Sequence, residues 1–475
     1  MRPRTRPDGR GLLHESAVYA VGLMLQRGLT VLVLPVATRI LEPAEVGVAS
    51  AALAVGGFLT MVLAMGFSFA VARVWYDEPP EAERTTWAML VRVQLGLAAA
   101  LAGVAWLAGP WWSAMYEDVA WSGALQAAVV LALAQSSQST ALGVLRAARR
   151  VHAFLAVVAV HVGAGGTLAI VLAERHGPGG LVAGLAAGAT AGALLAAVLT
   201  YRRPAWSGAA LRAGVALALP FLAHMISGWV LSLSDRVLIE RFLDLEDLAA
   251  YHVAYALGSL PLLLTDSVQA AWVPRYYGLD PETKAALPPR LLREAPPLVA
   301  AVAGAVVLAA PLGAWALAPP GFDVPMTVVA LVVATLVTRA SYLVGFAVLS
   351  ERKRSGRLAR ASATGAGVNV ALNLVLIPAW GLTGAAASTL TAYALMSILV
   401  VRDTEAALGR GLHLGPMVAG WAATAGALLG AAHLPTDGFG WVVRSAAVLG
   451  LAVWGWARSR SRLEEDAFAA LRQRG

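Results

Sequence analysis

Three arginines interrupt long apolar runs: Arg27 in "LQRGLTVLVLP", Arg73 after "MGFSFAVA" and Arg339 in "ATLVTRASYLV". A guanidinium offers its donors in a planar fork that meets phosphate or carboxylate oxygens two at a time. Inside a bilayer such a charge faces either protein or a wet cavity. Arg27 falls about twelve residues into its run, roughly 18 Å along a helix and so near the midplane, and Arg339 falls about fifteen into its own. Anion capture and an ion pair within the helix bundle are both open to them. Arg73 sits at the end of its run, where snorkelling to the interface is a further reading, and Arg444, near the end of the last run, is expected to snorkel. The segment "QSSQST" (135–140) is unusually polar. Gln135 and Ser139 share a helix face with Gln138 beside it, able to bind hydroxyls or a neighbouring helix.

A second constellation is oxygen-rich. Asp235, Asn373 and Thr389 each lie about 8–9 Å below the end of a run, and Asn369 lies one turn from Asn373 on the same face. Such ligands suit a hard monovalent cation, although Asp235 can equally pair with the adjacent Arg236. Asp266 is a second carboxylate within an apolar run and a candidate proton carrier. His161, His224 and His252 titrate near neutrality in principle, but single histidines in such runs more often link helices. No pair of them has metal-ligand spacing. Without cysteine, thiol catalysis, thiolate metal sites and disulfides are excluded.

The elements that must carry these side chains are membrane helices. The 475 residues are 59% hydrophobic and 13% charged, with mean hydropathy +0.69, which excludes an ordinary soluble protein. A bilayer core about 30 Å thick needs roughly 20 apolar residues in helix. Fourteen such stretches are predicted, at 15–38, 46–72, 86–108, 119–145, 152–173, 179–200, 211–240, 247–273, 295–317, 324–350, 358–378, 383–402, 414–433 and 439–457. With the N-terminus inside, 28 of the 36 Lys and Arg fall on the inner side, against Arg39, Arg175, Arg236 and Arg241 outside. Both termini are therefore expected in the cytoplasm. The net charge of +8 reads as this topology signal and as affinity for anionic lipids, not for nucleic acid.

The chain repeats itself. A shift of 202 lays Arg39, Leu41, Glu42, Glu45 and Gly56 on Arg241, Leu243, Asp244, Asp247 and Gly258, and a shift of 204 lays Gly177 and Gly180 on Gly381 and Gly384. Two nearly equal shifts argue for one duplication of six helices, an even number that gives parallel repeats. Pro43 suits a first helical position, and Glu45, Glu246 and Asp247 favour a helix N-terminus, so each "RILEPAEVG"-type copy reads as an outer turn opening the next helix. The glycines at 180, 184, 188 and 192 predict close helix packing. The expected architecture is an all-α polytopic membrane protein with two six-helix lobes around a central cavity, 1–204 and 205–404. Two extra helices and a tail follow, 405–475.

The stretches "SDRVLIERFLDLEDLAAYHVAYALGSL", "AWVPRYY", "NVALNLVLIPAWGLTGAAASTL", "LQRGLTVLVLPVATRILEPAEVG" and "VLRAARR" resemble polysaccharide and O-antigen flippases, within the superfamily that also holds lipid II flippases and multidrug exporters. The resemblance implies a bacterial plasma-membrane protein that moves an undecaprenyl-diphosphate-linked oligosaccharide by alternating access beside other proteins of polysaccharide assembly. Arg27, Arg73, Arg339, Gln135 and Gln138 would then hold the substrate. In the similar lipid II flippases a sodium site occupies positions corresponding to those of Asp235, Asn369, Asn373 and Thr389, with Asn373 standing where an acid is expected. No cofactor is implied beyond Na+ or H+ as coupling ion. A cation exporter is the main alternative, yet the first six runs hold no acid at mid-depth. A glycosyltransferase or polymerase would need catalytic groups on substantial outer loops, and the longest here is about ten residues, "GPWWSAMYED".

Overall fold

The computed structural model describes residues 9–77, 84–277, 279–320, 322–409, 411–412 and 414–454. Its elements are α1 (Gly9–Ile40), α2 (Pro43–Ala64), α3 (Phe67–Asp77), β1 (Arg84–Thr85), α4 (Thr86–Leu107), the single turn α5 (Gly109–Trp112), α6 (Gly123–Ala147), α7 (Val151–Thr200), β2 (Arg203–Pro204), α8 (Gly208–Phe242), α9 (Leu245–Tyr277), α10 (Pro281–Leu317), α11 (Met326–Glu351), α12 (Ser355–Leu408) and α13 (Leu414–Ala432). A shorter apolar helix, α14 (Gly438–Trp454), follows. The protein is thus an all-α polytopic membrane protein, and among the described residues eight helices are long and apolar enough to cross a bilayer. The two strands form only a two-residue parallel bridge, Arg84 to Arg203 and Thr85 to Pro204.

Helix ends follow local chemistry. α2 opens on Pro43, and the Glu42 backbone N–H donates to the Glu45 carboxylate at 3.1 Å. In the second copy the Asp247 backbone N–H donates to Asp244 Oδ1 at 2.7 Å. Both copies of the repeated stretch are therefore helix-opening turns stabilised by their own acids. α2 ends where Met65 and Gly66 take positive φ, and α3 begins at the next residue.

α7 and α12 are each two passes joined at a glycine. Gly177 and Gly381 have φ of +58° and +56°, a region that glycine enters without steric cost. Below Gly177, Gly180, Gly184 and Gly188 lie against the backbone of Leu172, Ala169 and Gly165, so the arms run antiparallel in close contact. In α12, Arg357 meets Asp403 and Asn369 meets Thr389, the same folding back. A second pair of turns repeats at the same shift. After α6, Arg149 (φ +56°) lies in a turn closed by Arg150 N–H to Leu145 O, 2.9 Å. After α11, Lys353 (φ +56°) lies in a turn closed by Arg354 N–H to Leu349 O, 2.8 Å. The duplication read from scattered identities thus reappears in the backbone at these two pairs of turns.

The chain divides into two compact units. One comprises Met1–His252, Leu317–Phe322 and Val370–Gly381. At its middle is α6, buried along most of its length and packed by α2, α3, α4 and both arms of α7, while α8 lies against α2 and α3. Exposed Trp111 marks one end of this unit, and exposed Tyr201 and Trp206 mark the other, as expected of aromatic side chains at membrane interfaces.

The other unit comprises Val253–Ala316, Asp323–Asn369 and Leu382–Gly475. Its most buried helix is α11, the counterpart of α6. Here Arg444 departs from its expected snorkelling position. It is 2% exposed and donates to the carbonyls of Leu308 at 3.0 Å, Pro435 at 3.1 Å and Leu434. The side chain thereby ties the α13–α14 turn to α10, because three convergent carbonyls satisfy a guanidinium better than a distant interface does. Arg444→Ala is expected to lower stability by about 2–3 kcal/mol, in the range for hydrogen bonds to a charged group. A fall in unfolding temperature, with protease cutting advanced at the α13–α14 turn, would be the signature.

Candidate functional site

The polar face of α6 meets helices on two sides. Ser136 and Ser137 donate to the Leu133 carbonyl, and Ser139 and Thr140 donate to that of Ser136. Satisfied on their own helix, these hydroxyls leave the two amides for other elements. Gln135 Oε1 accepts from Thr60 of α2 at 3.3 Å. Gln138, wholly buried, accepts from Gln26 Nε2 of α1 at 2.9 Å and lies 2.7 Å from His161 Nδ1 of α7. His161 Nδ1 also lies 3.3 Å from Gln26 Nε2, so the three side chains form one buried polar cluster. Gly192, on the returning arm of α7, leaves the room this cluster occupies, because a Cβ there would collide with the Gln138 amide.

Gln26 immediately precedes Arg27 in α1. The Arg27 backbone is helical, but its side chain lies outside the described residues, as do those of Arg73 in α3, His224 in α8 and Asp266 in α9. Arg339 is half-buried in α11. It stands 204 residues after Gln135, so the two central helices carry a polar residue at the same repeat position.

Asp235 forms a buried pair with the next residue, Arg236, at 3.2 Å; the two side chains are 2% and 5% exposed. Tyr251 of α9 donates its hydroxyl to the other carboxylate oxygen, and the Arg236 guanidinium lies over the Tyr251 ring, 5.8 Å from its centroid. Asn369 donates to Thr389 Oγ1 at 3.4 Å across the arms of α12, both residues being buried. Asn373, one turn further along, is also fully buried. His252 lines a small cavity of about 20 Å³ with Thr30, Ser50 and Leu181. Among the described residues no three His, Asp or Glu side chains converge as metal ligands.

Sequence reasoning did not single out Gln26 or Tyr251. Gln26 is a polar residue one step from the more conspicuous Arg27. Tyr251 is one turn below the acid-rich start of α9, where its hydroxyl looks like an ordinary interfacial group until α8 is seen beside it.

Solved structures share this fold. The lipid II flippase MurJ in an inward closed conformation superposes with a TM-score of 0.72 at 12% identity, covering 94% of this chain and 99% of that one. An inward-facing multidrug resistance MATE family transporter of the MOP superfamily gives 0.66 at 14% identity, covering 83% and 98%, and an outward-facing one gives 0.58 at 15%, covering 83% and 95%. No curated protein matches the chain in sequence. The profile of the family described as polysaccharide biosynthesis protein matches residues 12–277, more than half of the chain, and the protein therefore belongs to the polysaccharide biosynthesis protein family.

Proposed function

We propose that this protein moves an undecaprenyl-diphosphate-linked oligosaccharide from the inner to the outer leaflet of a bacterial plasma membrane, by alternating access coupled to Na+ or H+. Membership of the polysaccharide biosynthesis family carries the reading. The cargo's diphosphate needs cationic, forked donors, and Arg27, Arg73 and Arg339 are the residues suited to it. Gln135 is the amide proposed for its sugar hydroxyls, whereas Gln138, named with it from the sequence, is buried against Gln26 and His161 and links helices instead. Moving a lipid between leaflets makes and breaks no covalent bond, so the work is binding and release by two lobes that rock. Asp235, Asn369, Asn373 and Thr389 are proposed to take up the driving cation, with Asp266 the proton-carrying alternative. The duplicated backbone supports the rocking step, since repeats related by symmetry are a recurring basis of alternating access.

The test is translocation of a fluorescent undecaprenyl-diphosphate oligosaccharide in proteoliposomes. Arg27→Ala is expected to reduce transport on the order of tenfold or more, the loss of one charge-assisted phosphate contact. Asp235→Asn is expected to retain downhill movement and lose its dependence on a sodium gradient. Extrusion of an organic cation by a wild type that moves no such lipid would replace this reading with that of an exporter.

A further inference from the structure

Three guanidinium groups from different elements converge on the last turn of α7, at the end of its unit marked by Tyr201 and Trp206. Arg92 of α4 donates to the Arg202 carbonyl at 3.2 Å and lies over the Tyr201 ring, 5.4 Å from its centroid. Arg150, in the turn after α6, donates to the Leu199 carbonyl at 2.5 Å. Arg202 itself donates to the Tyr201 carbonyl at 3.2 Å. Each uses part of a five-donor fork on a neutral oxygen, and among the described residues none of the three meets a carboxylate.

The other unit answers its cations with acids. Asp403 stands 204 residues after Leu199 and pairs with Arg357, while Lys284 pairs with Glu351 at 2.9 Å and Arg290 with Glu294 at 3.2 Å. One copy of the repeat thus carries its own anion at this position, and the other presents cations alone. Leading up to the arginines, Leu194, Val198 and Tyr201 fall at i, i+4 and i+7 on one face of α7, and all three are exposed. In a bilayer such a stripe meets acyl chains, and the ring at its end lies at the level of the headgroups.

We infer that an anionic phospholipid binds here, its phosphate held where Arg92, Arg150 and Arg202 meet the end of α7 and its acyl chains lying along Leu194 and Val198. Forked donors from three elements suit a phosphate better than one flexible side chain does. This end of the unit is the one that the charge count places in the cytoplasm, where the leaflet carries anionic lipid. The inference narrows the general attraction of a basic face to one site, and it is independent of the proposed cargo.

The experiment measures binding of phosphatidylglycerol to the purified full chain in detergent by native mass spectrometry, against phosphatidylcholine with the same acyl chains. Phosphatidylglycerol is expected to bind saturably, with phosphatidylcholine on the order of tenfold weaker. Arg92→Gln with Arg202→Gln is expected to weaken phosphatidylglycerol binding on the order of tenfold. Arg150→Gln, whose amide can still donate to the Leu199 carbonyl, reads the same site if the double variant does not fold, with a loss of about fivefold expected. Arg357→Gln, in the copy that carries its own acid, is the control and should leave the affinity unchanged. Equal binding of the two lipids overturns the inference, as does an affinity unchanged in the arginine variants or reduced equally in Arg357→Gln. Equal affinity for glycerol 3-phosphate would make the ligand a soluble phosphate, and displacement by equimolar undecaprenyl diphosphate would make it the cargo; either result also overturns it. The acid-rich stretch 78–83 lies outside the described residues. Binding strengthened tenfold by Glu81→Gln with Glu83→Gln would mean that the arginines are answered within the chain, and the inference would fall.

Discussion

Asp235→Ala is expected to destabilise the protein by about 3–5 kcal/mol, the usual cost of removing one partner of a buried ion pair. The carboxylate is 2% exposed and answers three groups: the Arg236 guanidinium, the Arg236 backbone N–H and the Tyr251 hydroxyl. Alanine would leave a guanidinium buried without its countercharge and a phenol without its acceptor. Asp235→Asn keeps an oxygen for the hydroxyl and should cost less than half as much. The double change Asp235→Leu with Arg236→Met should recover most of the loss, because a buried pair is often no better than apolar side chains of similar size. Unfolding temperatures of the three variants decide the point. If the single alanine costs no more than the double change, the pair contributes nothing as a pair.

The same three variants separate structure from transport. A pair kept only for packing would let the double variant translocate cargo with its gradient dependence intact. A carboxylate that takes up the driving ion would leave the double variant stable but uncoupled. Stability and coupling therefore read different properties of one residue.

How far these features were legible before the structure depends on whether they are local. Gly177 and Gly381 were legible as repeat partners because a tight turn between two apolar runs selects glycine, and the same selection acts in both copies. The turns at Glu42 and Asp244 were legible because capping chemistry is written within four residues. Arg149 and Lys353 escaped notice: a left-handed backbone at a basic residue has no sequence signature, and only the hydrogen bonds around it reveal the match. The sequence places Arg444 at an interface, because depth along a helix says nothing of which carbonyls converge on it. The Asp235–Tyr251 contact depends on how α8 and α9 lie after their turn. His161 was legible as a helix linker in kind, but not in partner, since Gln26 and Gln138 come from passes far away in sequence.

Gly188→Ala is expected to cost about 3 kcal/mol or more, the upper end for forcing one methyl into a packed interior. Most small-to-large changes are relieved by a neighbour's side chain changing rotamer. At Gly188 the added Cβ would instead overlap the N and Cα of Gly165, with the His161 carbonyl at 2.7 Å. Backbone on a returning helix arm cannot give way singly, so the arms of α7 would have to part along their length. Parting them would also open the cluster of Gln26, Gln138 and His161, which is anchored on one arm and roofed by Gly192 on the other. Gly163→Ala is the control on the same helix: it is exposed, with nothing within 4 Å of an added Cβ. There the change should be neutral or stabilising by about 0.5–1 kcal/mol, the helix-interior penalty of glycine being removed. Opposite signs at two glycines of one helix, measured as unfolding temperatures in the same detergent, would assign the cost to contact between the arms. Equal losses at both positions would mean that backbone freedom, and not close approach, is what glycine supplies to α7.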